Sequence, residues 1–172
     1  MRKAFVIALA LVILSPVESS SQRRRRAPAR PSERVAKAAA EKTAAELQLG
    51  RERLAQQVKT LSQFLYLLGG ITKGIESADQ ASRDRMASSV TMDQNQRNKA
   101  KVRESIRNVR QGLEKLEMDF RINPVLKNHY MHVVGVAGIG EAAETQAAAD
   151  RFDEAGRSLL KAVNQLADAL AA

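Results

Sequence analysis

The sequence predicts an all-α protein, an antiparallel helical bundle of four to six helices built on long amphipathic segments. Three observations carry that expectation. Leu47, Leu54, Leu61 and Leu68 recur every seven residues, the period of a helix-packing seam. Val102, Ile106, Val109, Leu113, Leu116 and Phe120 alternate steps of four and three, which places all six on one stripe of a second helix. Aromatic residues make up only 3% of the chain and tryptophan is absent, so the large side chains of a sheet core are missing. Alanine runs at 38–40 and 147–149 add intrinsic helix propensity.

Residues 1–19 read as a secretory signal peptide. Met1, Arg2 and Lys3 form a positive start, residues 4–14 are uninterruptedly apolar, and Pro16 stops the run before Val17, Glu18 and Ser19 offer a cleavage site. Eleven helical residues span about 16 Å, roughly half of a bilayer core of about 30 Å, so a cleaved signal fits better than a retained anchor. The expected product is secreted or periplasmic, with no transmembrane span after cleavage. A chain with no cysteine has neither a disulfide framework nor a lipidated cysteine. Residues 20–31 (SSQRRRRAPARP) follow as a disordered basic linker, since four adjacent arginines repel one another and two prolines forbid regular pairing.

The bundle domain is then expected over residues 32–172. Ser32 suits the N-cap of helix one and Glu33 its positive end. Ala44, Val58 and Leu65 fill the alternate seam positions, Arg51 breaks the seam, and Gly69-Gly70 shifts its register. The 3/4 spacing of Ile71, Ile75 and Ala78 favours a helix that continues through the glycines. Thr91 with Gln94 matches a capping box for helix two, which runs to about Arg121. Asn123-Pro124 reads as the cap and first residue of a third helix to about Val134. Gly135, Gly138 and Gly140 then lead into a short alanine-rich helix to about Ala149. Asp153 is the expected cap of a last helix carrying Leu159, Leu160, Val163, Leu166 and Leu170. No 34-residue repeat accompanies the last hairpin, which excludes a tetratricopeptide solenoid.

The formal net charge is +9, but its placement matters more than its size. Seven of the 28 basic and one of the 19 acidic residues precede Pro31, leaving 21 against 18 in the body. The body is nearly neutral, and the basicity belongs to an arm. Two groups of residues are candidates for binding a polyanion: Arg23, Arg24, Arg25 and Arg26 in the arm, and Lys99, Arg103, Arg107 and Arg110, whose steps of four, four and three form a stripe on helix two. Sequence-specific nucleic-acid recognition is excluded from expectation because no stacking aromatics accompany the stripe. Leu47, Leu54, Leu61 and Leu68 are candidates for a helix-association seam, within the chain or between copies.

Catalytic chemistry finds no motif. His129 and His132 are the only histidines and no cysteine exists, so nucleophile–base pairs have little to draw on. The two histidines lie three apart beside Met131, which is an incomplete ligand set, with neither H-E-x-x-H nor E-x-x-H around them. The glycines of residues 135–140 lack the spacing and the preceding strand of a dinucleotide site. No catalytic residue, cofactor or metal is therefore assigned. The expected function is that of an exported, non-enzymatic helical-bundle protein that contacts a protein partner, an anionic envelope surface or its own copy. The alternative is a periplasmic carrier or chaperone-like protein holding an apolar ligand between helices.

Overall fold

The structure, a computed structural model, describes residues 31–172, with side chains from residue 33. The expected signal peptide, most of the expected basic linker and Arg23, Arg24, Arg25 and Arg26 lie outside the described residues. The chain forms α1 (Pro31–Arg83), α2 (Ser89–Ile122), a 3-10 turn (Lys127–His129), the one-turn α3 (Tyr130–Val133), α4 (Val136–Ala148) and α5 (Phe152–Ala171). The four main helices close an all-α ring in which α1 packs on α2 and α5, and α4 packs on α2 and α5. Pairing runs antiparallel throughout. Arg53 meets Asp119 and Asp79 meets Asn95 between α1 and α2, and Arg107 meets Glu144 between α2 and α4. Gln146 meets Ser158 between α4 and α5.

The two sequence stripes are the core. Leu54, Leu61, Leu68 and Ile75 of α1 are buried against Val102, Ile106, Leu113, Leu116 and Phe120 of α2 and the inner faces of α4 and α5. Leu47 is half-buried at the margin. The leucine seam is thus satisfied inside the chain, and as a site for self-association it is already occupied. Its burial removes each leucine from water at roughly 1.5–3 kcal/mol apiece, so opening the bundle to offer it elsewhere is unfavourable.

Alanines do more in the core than the leucine pattern of the last helix suggests. Ala155, Ala162 and Ala169 alternate with Leu159 and Leu166 on the buried face of α5, whereas Leu160 and Leu170 are exposed and Val163 is only partly buried. The inner face of α4 is smaller still: Val136, Gly140, Ala143 and Ala147. A Cβ at Gly140 would stand 3.2 Å from the Arg110 Cα, so the missing side chain sets how closely α4 approaches α2.

Several boundaries differ from the sequence expectation, each for a local reason. Helix one already includes Pro31 and Ser32 at the first described residues, so Ser32 is not its cap, while the expected continuation through Gly69-Gly70 is observed. Helix two is capped by Ser88, whose Oγ accepts from the Thr91 N–H. Thr91 is therefore the third residue of the helix and not its cap. Asn123 ends α2, and its Oδ1 accepts from the Val125 N–H in a tight turn, so Asn123-Pro124 opens a 3-10 turn and a single helical turn instead of a full third helix. Arg151 stands at the N-cap of α5 with Asp153 in its first turn, and Asp150 makes the preceding corner at φ 60°.

At its N-terminal end α1 outruns its neighbours, and at the other end it outruns α5. Leu47 lies level with Ala169 and Ala172 at the end of α5, and residues 33–45 beyond it are exposed on all sides. At about 1.5 Å per residue that overhang is on the order of 20 Å long. At the other end α1 and α2 continue as a two-helix hairpin past the start of α5, with Met86 and Val90 exposed at its tip.

Candidate functional site

The basic stripe on α2 is a row of interhelix ion pairs. Lys99 is the most enclosed, with a side chain only 9% exposed. Its Nζ lies 2.8 Å from Asp79 Oδ2 on α1 and 3.6 Å from Asp150 Oδ2 at the α4–α5 corner. Asp79 is held in turn by the Asn95 amide at 2.6 Å. Arg103 donates to the other oxygen of Asp150. Arg107 donates to Glu144 at 3.0 Å, and Arg110 sits between Glu144 at 2.6 Å and Glu114 at 2.7 Å. Four cations face four carboxylates, three of which come from other elements of the fold. The stripe expected as a polyanion surface is therefore also internal bracing: its charges lace α1, α4 and the α4–α5 corner to α2. Sequence gave no signal for Asp79, Asp150 or Glu144 as partners, because each lies 20 or more residues away along the chain.

A second tie of this kind sets the start of α4. Gly135 turns the chain at φ 92° and α4 has no side-chain cap of its own. Glu117 of α2 supplies one, accepting from the Ala137 N–H at 2.9 Å, where a carboxylate also meets the positive end of the helix. Gln165 of α5 donates to the carbonyls of His132 and Val134, which closes the C-terminal end of α3.

His129 is half-buried in the 3-10 turn and His132 is exposed on α3. Among the described residues no group of three His, Asp or Glu side chains is arranged to hold a metal ion. Arg51, the break in the leucine seam, borders a cavity of about 20 Å³ with Leu47, Phe120 and His129 at the end of the bundle.

The feature that the core leaves unused lies on the outer side of α1. Tyr66 is 86% exposed, Leu67 61% and Ile71 44%. Open space surrounds Gly69, Gly70 and Gly74, with no atom within 4 Å of the positions their Cβ atoms would take. Beside this patch Phe64, Leu67 and Ile71 line a groove of about 310 Å³ whose far wall is Asn98, Lys101 and Ser105 of α2. On the opposite flank a groove of about 300 Å³ runs between Leu65 and Gly69 of α1 and Gly156 and Leu160 of α5. The apolar run at 64–68 held the signal for this face. A helix directs side chains around all its sides, so five successive apolar residues cannot all enter one core. Leu65 and Leu68 turn inward, and Tyr66 and Leu67 turn out.

No protein-family model matches the chain, and comparison with curated proteins and with solved structures yields no significant match. Fold and site together define a four-helix bundle with an overlong first helix and an uncovered apolar face on it. No described helix is long and apolar enough to cross a membrane.

Proposed function

We propose that this chain is an exported, non-enzymatic helical-bundle protein that works by contact, and that the outer face of α1 is its contact surface. The observation that carries this reading is the exposure of Tyr66, Leu67 and Ile71 in one patch while the basic stripe is neutralised within the fold. A protein that buries ten leucines and isoleucines among its described residues yet leaves a tyrosine, a leucine and an isoleucine together outside has a use for them. Export rests on the signal-peptide pattern of residues 1–19. The carrier alternative needs a chamber between helices. The grooves beside α1 are open to solvent, and the cavity at the end of α5 has room for about one water.

The test is site-specific photo-crosslinking of the full chain in the cell that makes it. A photoreactive residue at position 66, 67 or 71 is expected to give a crosslinked product. The same residue at Arg107 on α2 or Glu141 on α4 is expected to give none. Crosslinks at the α2 and α4 positions without any on α1 would overturn the assignment.

A further inference from the structure

Resting on the reading of α1 as the contact helix, we propose that its partner is a second copy of this chain. The two α1 helices lie antiparallel about a two-fold axis near Gln56, and the overhang of each copy covers the exposed patch of the other.

The geometry of α1 points to this register. Ala38, Ala45, Leu49, Gln56, Gln63, Leu67 and Gly74 are separated by steps of seven, four, seven, seven, four and seven, so they occupy one stripe of the helix. All of them are outside the bundle core. Antiparallel pairing about Gln56 brings together residues equally far to either side of it: Ala38 with Gly74, Ala45 with Leu67, and Leu49 with Gln63. Ala38 then meets Gly74 and Ala45 meets Leu67, so the outer steps pair a small residue with a glycine or with one large side chain, which allows close approach of the helices there. The free space around Gly70 and Gly74 is where the second helix would run. No other described helix packs on residues 34–45 of the overhang, which are exposed, and an apolar patch lies exposed a few turns further on.

Charge selects the antiparallel arrangement over the parallel one. Glu52 and Lys59 lie on the same flank of the stripe at nearly equal distances from Gln56, and antiparallel pairing sets each Glu52 against Lys59 of the second copy. Glu41, which also pairs with Lys37 of its own helix at 3.8 Å, and Lys73 repeat the relation further out. Neither Lys59 nor Lys73 has an ion pair within the described chain, and Glu52 is engaged only by the exposed amide of Gln48 at 3.1 Å. Parallel pairing would instead set this flank against the opposite one, so Glu52 and Lys59 would not meet across the seam. Val35, Leu49, Tyr66, Leu67 and Ile71 are all exposed along this helix, and a specific interface requires them and their neighbours to bury about 1,000 Å² over the two copies. A closed two-fold contact also limits assembly to a dimer.

The absence of cysteine makes the test direct. In the purified full-length chain, Gln56→Cys is expected to form a disulfide with itself under mild oxidation. Ala45→Cys and Leu67→Cys are expected to crosslink to each other when mixed and not to themselves. Light scattering should give twice the chain mass. Glu52→Lys should weaken the dimer about tenfold, and adding Lys59→Glu should restore it, with the far-UV spectrum unchanged in both. A monomer at 100 μM, or self-crosslinking of Ala45→Cys, would overturn the proposal. So would a monomer that sediments with anionic vesicles through Leu67, which would give the face to lipid. An in-cell crosslink from Tyr66 to a different protein would overturn this dimer and leave the contact reading standing, whereas no crosslink from α1 at all would remove both.

Discussion

Removing Asp79 should show what the basic stripe is for. Asp79→Ala takes the nearer carboxylate away from Lys99 and leaves its Nζ facing only Asp150 at 3.6 Å. It also deprives the Asn95 amide of its partner. Breaking a fully buried pair costs about 3–5 kcal/mol because one charge stays uncompensated. Asp79 is one-third exposed, so water replaces part of what is lost and the expected cost falls to about 2 kcal/mol. For a domain of this size that lowers the melting temperature by about 5 °C. Lys99→Met keeps the packed stem and removes the charge, and should cost about 1 kcal/mol or less. The double variant should then cost at least about 1 kcal/mol less than the two single losses together, the mark of a direct coupling. Urea denaturation of the four proteins measures all of this. A cost of Asp79→Ala below about 0.5 kcal/mol, combined with loss of heparin or anionic-vesicle binding in Lys99→Met, would refute the structural reading and return the stripe to polyanion binding.

Other substitutions probe the packing that holds α1 in place. Leu61→Ala at a fully buried seam position should cost about 2–5 kcal/mol in urea denaturation. Gly140→Ala should destabilise by about 1–3 kcal/mol because its Cβ meets the Arg110 backbone and Leu113 at 3.2 Å. Gly138→Ala, with open space around it, should be stabilising by about 0.5–1 kcal/mol through helix propensity alone. Glu117→Ala uncaps α4, and its expected loss of about 1 kcal/mol should appear in hydrogen exchange as faster exchange of the Ala137 amide.

The fold was legible because its core is periodic. The steps of seven in α1 and of four and three in α2 are the buried faces themselves, and helical geometry admits few other uses for such spacing. The caps were less legible, since Ser88, Thr91 and Asn123 are all competent capping residues and only the three-dimensional turn decides which one acts. The ion-pair row was half legible. Spacing along α2 showed the cations, but their carboxylates arrive from α1 and α4 through tertiary packing. Ala155, Ala162 and Ala169 were missed as core because alanine signals helix on any face. The exposed patch was visible only as an excess, the apolar residues at 64–68 that outnumber the places one buried stripe has for them.

The central claim is that the outer face of α1 serves contact and not folding, and Leu67→Asp separates the two. The account predicts that this variant keeps its helical far-UV signal and, at low micromolar concentration, its urea midpoint, while its apparent mass in a native extract falls to that of the single chain. An unchanged native mass, or a midpoint lowered as far as that of Leu61→Ala, would contradict it.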